Sequence, residues 1–397
     1  MDLKQRIQDM AATLHPEVVG WRRHLHSHPE LSFEERETAA YVQAQLEALG
    51  LEVQTGIGGH GLVALLRGTA GPSDRVLALR ADMDALPITE ANEVPYCSQN
   101  PGVMHACGHD AHTASLLGTV RILSDLRDQF AGTVKFLFQP AEERLPGGAS
   151  LMIQDGALQA PEVEAILGQH VQPYLDAGKI GVRSGMYMAS ADEIHLRVIG
   201  KGGHAAHPAH FIDPVMITAQ MLVSLQQVIS RSDPRIPAIL SFGRVEALGA
   251  TNIIPEEVKV AGTLRCLDET KRHAALEQIR RIVHQVAEMY GGRAELDLKL
   301  GYPVLHNDEA LTARSRARIA DYVGEENVVD LDIWMAAEDF AWYTQEIPGC
   351  FYRLGTRNEA RGIIHGLHTP RFDIDEDALA LSTGLMAWLA IQELQGA

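Results

Sequence analysis

The stretch GVMHACGHDAHTA, residues 102–114, places His105, Cys107, His109 and His112 close together. Cys107 and His109 are two apart, so in an extended loop both side chains can point to one side. A thiolate and a neutral imidazole are ligands for a divalent transition metal. Further donors stand where apolar runs end. RVLALR leads into Asp82 and Asp84, VKFLFQP into Glu142 and Glu143, and EAILGQ into His170, while GLHTPRFD offers His368 in a loop bounded by Gly and Pro. Glu142 and Glu143 are neighbours, so their side chains diverge. One can bind metal while the other takes a proton from water, the division of labour of metal-assisted hydrolysis. Taken singly, each residue has a plainer reading. Cys107 is then a small buried apolar group, the glutamates an exposed acidic pair, and His170 a satisfied core histidine. Their concurrence at the ends of several strands favours chemistry. His105 and His112 read as packing or orienting neighbours, His24, His26 and His28 as a helix end and turn before Pro29, and Gly147–Gly148 as a loop and not a phosphate cradle.

The elements that must carry these residues alternate. Helices are expected over 2–14, 16–26 and 34–49, the last closed by Gly50. Strands follow in GLVALLRG and RVLALRADMD, then a helix in HTASLLGTVRILSDL, then strands in GTVKFLFQPAEE and EAILGQHV. This order indicates a mostly parallel sheet covered by helices, and such sheets bind ligands beyond the carboxyl ends of their strands. From residue 186 the order becomes strand, helix, strand, strand, helix, strand, that of a small α+β sandwich with an antiparallel sheet. The expected division is therefore 1–185 and 301–397 for an α/β domain, with 186–300 as an insertion. The tail ends in the apolar helix ALALSTGLMAWLAIQEL.

The 397 residues are 46% hydrophobic and 22% charged, a globular balance long enough for two or three domains. The net charge of −18 argues against nucleic acid as a partner, because phosphate binding needs a basic footprint. Charge interrupts every apolar run within about eight to ten residues, so no membrane span is expected. MDLKQRIQDMAATLH reads as an amphipathic helix and not a signal peptide, so a cytoplasmic protein is expected. Cys97, Cys107, Cys266 and Cys350 are too few and too scattered for a disulfide framework.

RRHLHSHPELSFEE, LRADMDALPI, GVMHACGHDAHTA, FQPAEE, GKGGHAAHP, TNIIPEEV, GTLR, EDF and LHTPRFD occur in this order. In these segments the chain resembles the metallopeptidase family of aminoacylases and carboxypeptidase G, over nearly its whole length. Within that family it is most similar to the branch of bacterial hippurate hydrolases and plant auxin-conjugate hydrolases. The resemblance implies an α/β, zinc-peptidase-like catalytic domain with an inserted ferredoxin-like lid that also makes a homodimer or higher assembly. It implies two divalent metal ions per chain, held by Cys107, His109, Glu143, His170 and His368, with Glu142 as general base. Zn2+ fits the donor softness best; Mn2+, Co2+ and Ni2+ are also possible. Most of the wider family has a His-x-Asp pair where this chain reads Asp82-Met83-Asp84, and Cys107 takes the place of a bridging aspartate. Asp84 then orients a ligand, and the role of Asp82 is open. His204 matches a histidine that reaches into the partner subunit's site to stabilise the oxyanion. Asn252 and Arg265 match positions that hold a substrate carboxylate.

The function these features imply is hydrolysis of an N-acyl-L-amino acid, N-acetyl or hippurate-like, to a carboxylic acid and a free amino acid. Metal-bound hydroxide would be the attacking group. A carboxypeptidase or dipeptidase on the same scaffold and a non-catalytic metal-binding homologue are the alternatives. A TIM-barrel amidohydrolase is disfavoured by the inserted antiparallel domain.

Overall fold

In the computed structural model, which describes residues 2–396, Ile7, Ala11, Val18, Trp21 and Leu25 form one buried stripe along helix α1 (Leu3–Ser27). The sequence suggested two helices here, but α1 runs unbroken through Pro16. A proline inside a helix costs about 3 kcal/mol. Burying each large apolar side chain returns roughly 1.5–3 kcal/mol, and this stripe continues on both sides of the proline, so one helix is the better solution. Helix α2 (Arg36–Ala48) is followed by Gly50, whose φ of 74° lets its N–H bond back to the Glu47 carbonyl.

Strands β1 (Val53–Ile57), β2 (Gly61–Arg67) and β3 (Val76–Asp82) lead to helix α3 (His109–Asp125). Then come β4 (Thr133–Gln139), β5 (Ala165–Asp176) and β6 (Ile180–Val182). Every residue of β3 and β4 is buried, as expected for strands covered on both faces. The chain continues with β7 (Asp192–Ile199), helix α4 (Pro214–Leu225), β8 (Ala238–Ala247), β9 (Glu257–Cys266), helix α5 (Glu269–Met289) and β10 (Arg293–Lys299). It returns through helix α6 (Glu309–Val323), β11 (Val328–Asp330) and β12 (Gly349–Arg357) to helix α7 (Ala378–Gln395).

The described residues divide into two units. The first comprises everything up to Gly185, His306–Asp332 and everything from Asp339; the second is Met186–Leu305 with Ile333–Glu338. In the first, one sheet has the strand order β1-β2-β4-β3-β5-β12-β6-β11. Its centre, β4-β3-β5-β12, is parallel throughout, and α1, α3 and α7 pack together over a continuous apolar core. The fold class is the mostly parallel α/β one with an inserted α+β unit. In that inserted unit β8-β9-β7-β10 form an antiparallel sheet. Alternate residues of β7 (Ile194, Leu196, Val198) face a core shared with Ile217 and Met221 of α4 and Ile279 and Val283 of α5. Both helices are capped by aspartates: Asp213 accepts from Val215 and Met216, and Asp268 from Lys271. No helix among the described residues is long and apolar enough to cross a membrane.

Candidate metal centre

The ends of β3 and β4, the middle of β5, the start of α3 and the loop at His368 carry the chemistry-bearing residues of the first unit. Gly108 precedes α3 in a left-handed conformation, φ 83°, and a Cβ there would lie 2.5 Å from Val171 Cγ2. Only glycine allows this turn so close to β5, and the turn sets Cys107 and His109 against His170.

Cys107, His109 and His170 each offer a donor atom within 4.8 Å of the others. Cys107, Glu143 and His368 do the same, and so do His109, Glu142 and Glu143. The thiol therefore belongs to two of these groups. Its sulfur lies 3.4 Å from His170 Nε2, and Glu143 Oε1 lies 3.1 Å from His368 Nε2. Cys107, His109, His170 and Glu142 are buried, Glu143 is half-buried, and His368 is exposed on a left-handed turn of φ 59°.

The ring nitrogens are arranged for ligation. His109 Nδ1 donates to Asp84, at 2.9 Å from its carbonyl and 3.2 Å from Oδ1, which leaves the buried Nε2 without a hydrogen-bond partner. His170 Nδ1 donates to the Val171 carbonyl at 2.7 Å, turning Nε2 toward Cys107. A buried nitrogen without a hydrogen bond is costly, here eased only by Asp82 Oδ2 at 3.7 Å, and a metal-ligating histidine is oriented through its other nitrogen in this way. The donor set of thiol, imidazoles and carboxylate fits a divalent transition metal. His112 differs: Nδ1 donates to Asp82 Oδ1 at 2.6 Å and Nε2 accepts the Val171 N–H at 2.8 Å, so both nitrogens are taken.

The electrostatics call for positive charge. Burial opposes a charged His109, but Asp82 and Asp84 outweigh it and push the imidazole up to about 10. Burial, then the Glu143 and Glu142 carboxylates, push the Cys107 thiol well up; a cation in the cluster would reverse that. Burial and Arg353 hold His170 well below the usual histidine range, in the neutral form a ligand needs. Burial also drives His105 down to about 4, and neither of its ring nitrogens is hydrogen-bonded.

A ring of buried carboxylates supports these groups. Asp84 accepts the Glu142 N–H on Oδ1 and the Glu143 N–H on Oδ2, both at 3.0 Å, and the Ser32 hydroxyl at 2.6 Å. Arg80 binds Asp82 at 2.6 Å, Asp339 at 2.8 Å and Gln139 at 2.9 Å. The Asp339 N–H lies 3.4 Å from Glu142 Oε1. Asp82 is therefore held by Arg80 and His112 beneath the cluster; burial opposes its charge, but Arg80, His109 and His112 keep the carboxyl well below its usual range. Asp110, next to His109, takes Arg22 Nε at 2.8 Å and His26 Nδ1 at 2.7 Å, all three buried. His26 is thus part of a buried ion network and not merely a residue of the helix end. From the sequence alone no role falls to Ser32, Arg80 or Gln139, nor to Glu35, whose Oε1 accepts the Ala141 N–H at 2.7 Å. The local signal is a charged residue, Arg80, inside the apolar run of β3, and all four lie within the segments RRHLHSHPELSFEE, LRADMDALPI and FQPAEE.

In the second unit His204 and Asn252 fall on one small ribbon. Gly203–His204 pairs with Ile253–Ile254, and the Asn252 carbonyl accepts the Ala205 N–H at 3.1 Å. Both side chains are exposed. His204 Nδ1 accepts from the Ala206 N–H at 3.1 Å. Arg265 lies half-buried near the end of β9, with Nη1 3.4 Å from the Met335 carbonyl.

The sequence is 45% identical over 309 residues, 77% of this chain and 82% of the other, to a protein named N-acyl-L-amino acid amidohydrolase from Geobacillus stearothermophilus. It is 36% identical over 396 residues, 99% of each chain, to thermostable carboxypeptidase 2 of Saccharolobus solfataricus. A Bacillus subtilis structure described as a dinuclear metal binding peptidase superposes with a TM-score of 0.84 at 35% identity, covering 97% of this chain and 100% of that one. The model of peptidase family M20/M25/M40 matches residues 78–391, and the chain belongs to that family.

Proposed function

We propose that the chain is a metal-dependent amidohydrolase that cleaves N-acyl-L-amino acids, of the N-acetyl or N-benzoyl kind, to a carboxylic acid and a free amino acid. The observation that carries this reading is the place of Cys107 in two donor groups. Cys107, His109 and His170 would hold one divalent cation, and Cys107, Glu143 and His368 a second, with the sulfur common to both. When bound, such cations polarise the amide carbonyl and lower the pKa of water. Glu142, whose backbone N–H is fixed by Asp84 and whose Oε1 lies 3.4 Å from the Asp339 N–H, takes the proton from the attacking water and passes it to the leaving nitrogen. Asp84 presents His109 Nε2 and fixes the glutamate backbone. His204, supplied in a homodimer by the second copy, stabilises the charge that develops on the carbonyl oxygen. Asn252 and Arg265 take the substrate α-carboxylate.

Zinc suits the thiol and imidazole donors, and elemental analysis of purified protein distinguishes it from manganese, cobalt and nickel. A thiol that must stay reduced suits the cytoplasm. For the dimer, the inserted unit offers β8 as an edge strand and exposed Val215, Met216 and Val223 on α4; light scattering after size exclusion tests it.

Release of glycine from benzoylglycine, and of amino acids from their acetyl derivatives, tests the activity. Turnover that survives complete metal removal overturns the reading. Glu142→Gln should lower kcat at least about a hundredfold while metal still binds. The carboxypeptidase name of one relative favours a second reading, peptide-bond cleavage at the same centre. A panel of dipeptides against acyl amino acids separates the two by kcat/KM.

A further inference from the structure

Three successive backbone N–H groups, those of Ala141, Glu142 and Glu143, are all taken by carboxylates from distant segments. Asp84 receives the last two; Glu35 Oε1 receives the first, at 2.7 Å. The same Glu35 oxygen also accepts the Phe33 N–H at 3.0 Å. Both donors belong to non-glycine residues in the left-handed region, Ala141 at φ 51° and Phe33 at φ 71°. Such residues are held there against a cost of about 1–2 kcal/mol each. Glu35 is fully buried, and its other oxygen has no hydrogen-bond partner. A helix cap needs no such expense. The segment is tied in again three residues earlier, where the Ser32 hydroxyl binds Asp84.

We propose that Glu35 is a positioning residue for the Glu142–Glu143 pair: it holds Ala141 in a left-handed turn, and that turn sends one glutamate toward the reacting water and the other toward the cation. The inference rests on the proposed amidohydrolase reading and deepens it. Its action runs through the location of one acceptor oxygen and not through the charge.

Two variants separate those possibilities. Glu35→Gln keeps an oxygen in place and removes the charge; Glu35→Asp keeps the charge and withdraws the oxygen by one methylene. Kinetics on an acyl amino acid are measured with zinc affinity, the latter by competition with a chromophoric chelator. Glu35→Gln should stay within about threefold of the parent in kcat and in zinc affinity. Glu35→Asp should lose roughly 10–100-fold in kcat and about tenfold in zinc affinity, with KM nearly unchanged. Adding Ala141→Gly to Glu35→Asp should return at least about threefold of the lost kcat, because glycine takes the left-handed turn unaided. The proposal is overturned if Glu35→Asp lowers only the melting temperature, or if Glu35→Gln is the more damaged of the two. Should the parent bind zinc tightly yet hydrolyse no acyl amino acid, the amidohydrolase reading falls, while the order of zinc affinities still decides the role of Glu35.

Discussion

A donor shared by two groups makes a different prediction from one that serves a single group. Cys107→Ala should remove more than one equivalent of bound zinc, whereas His170→Ala or His368→Ala should remove about one, as read by elemental analysis after dialysis. Equal losses in all three variants would sink the sharing of the sulfur. Asp84 invites a second test. Its two oxygens accept two backbone N–H groups, a hydroxyl and an imidazole N–H, and an asparagine can offer only one oxygen. Asp84→Asn should therefore cost roughly 10–100-fold in kcat with circular dichroism unchanged. The side chains of the proposed metal centre were legible in the sequence because cysteine, histidine and paired glutamates announce their chemistry by type. The carboxylates that brace them were less so. Glu35 meets the Ala141 N–H, and Asp339 meets Arg80 and Gln139, across long stretches of chain, and nothing in their local spacing reveals those partners. Asp82 stayed open for the same reason, since its partner Arg80 is two residues away but His112 lies on another element.

The elements are held by buried ions as well as by apolar stripes. On α7, Glu393 is nearly buried and binds Arg318 and, at 2.8 Å, Arg314, both on α6. Burial opposes its charge, yet the two arginines hold its carboxyl below the usual glutamate range. A lowered folded-state pKa contributes stability above the unfolded value of about 4.3, and that stability is lost as pH falls through the folded value. Glu393→Gln should thus destabilise the first unit by about 1–3 kcal/mol at pH 7. The difference from the parent should shrink below about pH 4, as followed by thermal melts across pH. The long apolar and amphipathic elements were readable from periodicity, α3, α5 and α7 and strands β3, β4 and β5 among them. Strands β1, β6 and β11 were not, being short or largely exposed; β12 was hidden because Arg353 breaks its apolar run. The continuity of α1 was obscured by Pro16, whose local signal is to stop a helix and whose cost is outweighed only by burial that sequence spacing does not weigh.

Two cores in one chain should give two unfolding transitions. Only the one belonging to the first unit should rise with added zinc, because ligand binding stabilises the unit that holds it. Calorimetry with and without chelator checks this, and a single transition moving as a whole would contradict it. The first unit is also discontinuous in sequence: Cys107, His109, Glu143 and His170 precede the inserted unit, and His368 follows it. During translation a ribosome therefore delivers four of the five proposed donors, then spends the whole of the insertion before supplying the last. A nascent chain interrupted anywhere in that interval carries thiol, imidazoles and carboxylates but lacks His368, the last of the proposed ligands, and on that proposal its hydrolytic power arrives late in synthesis.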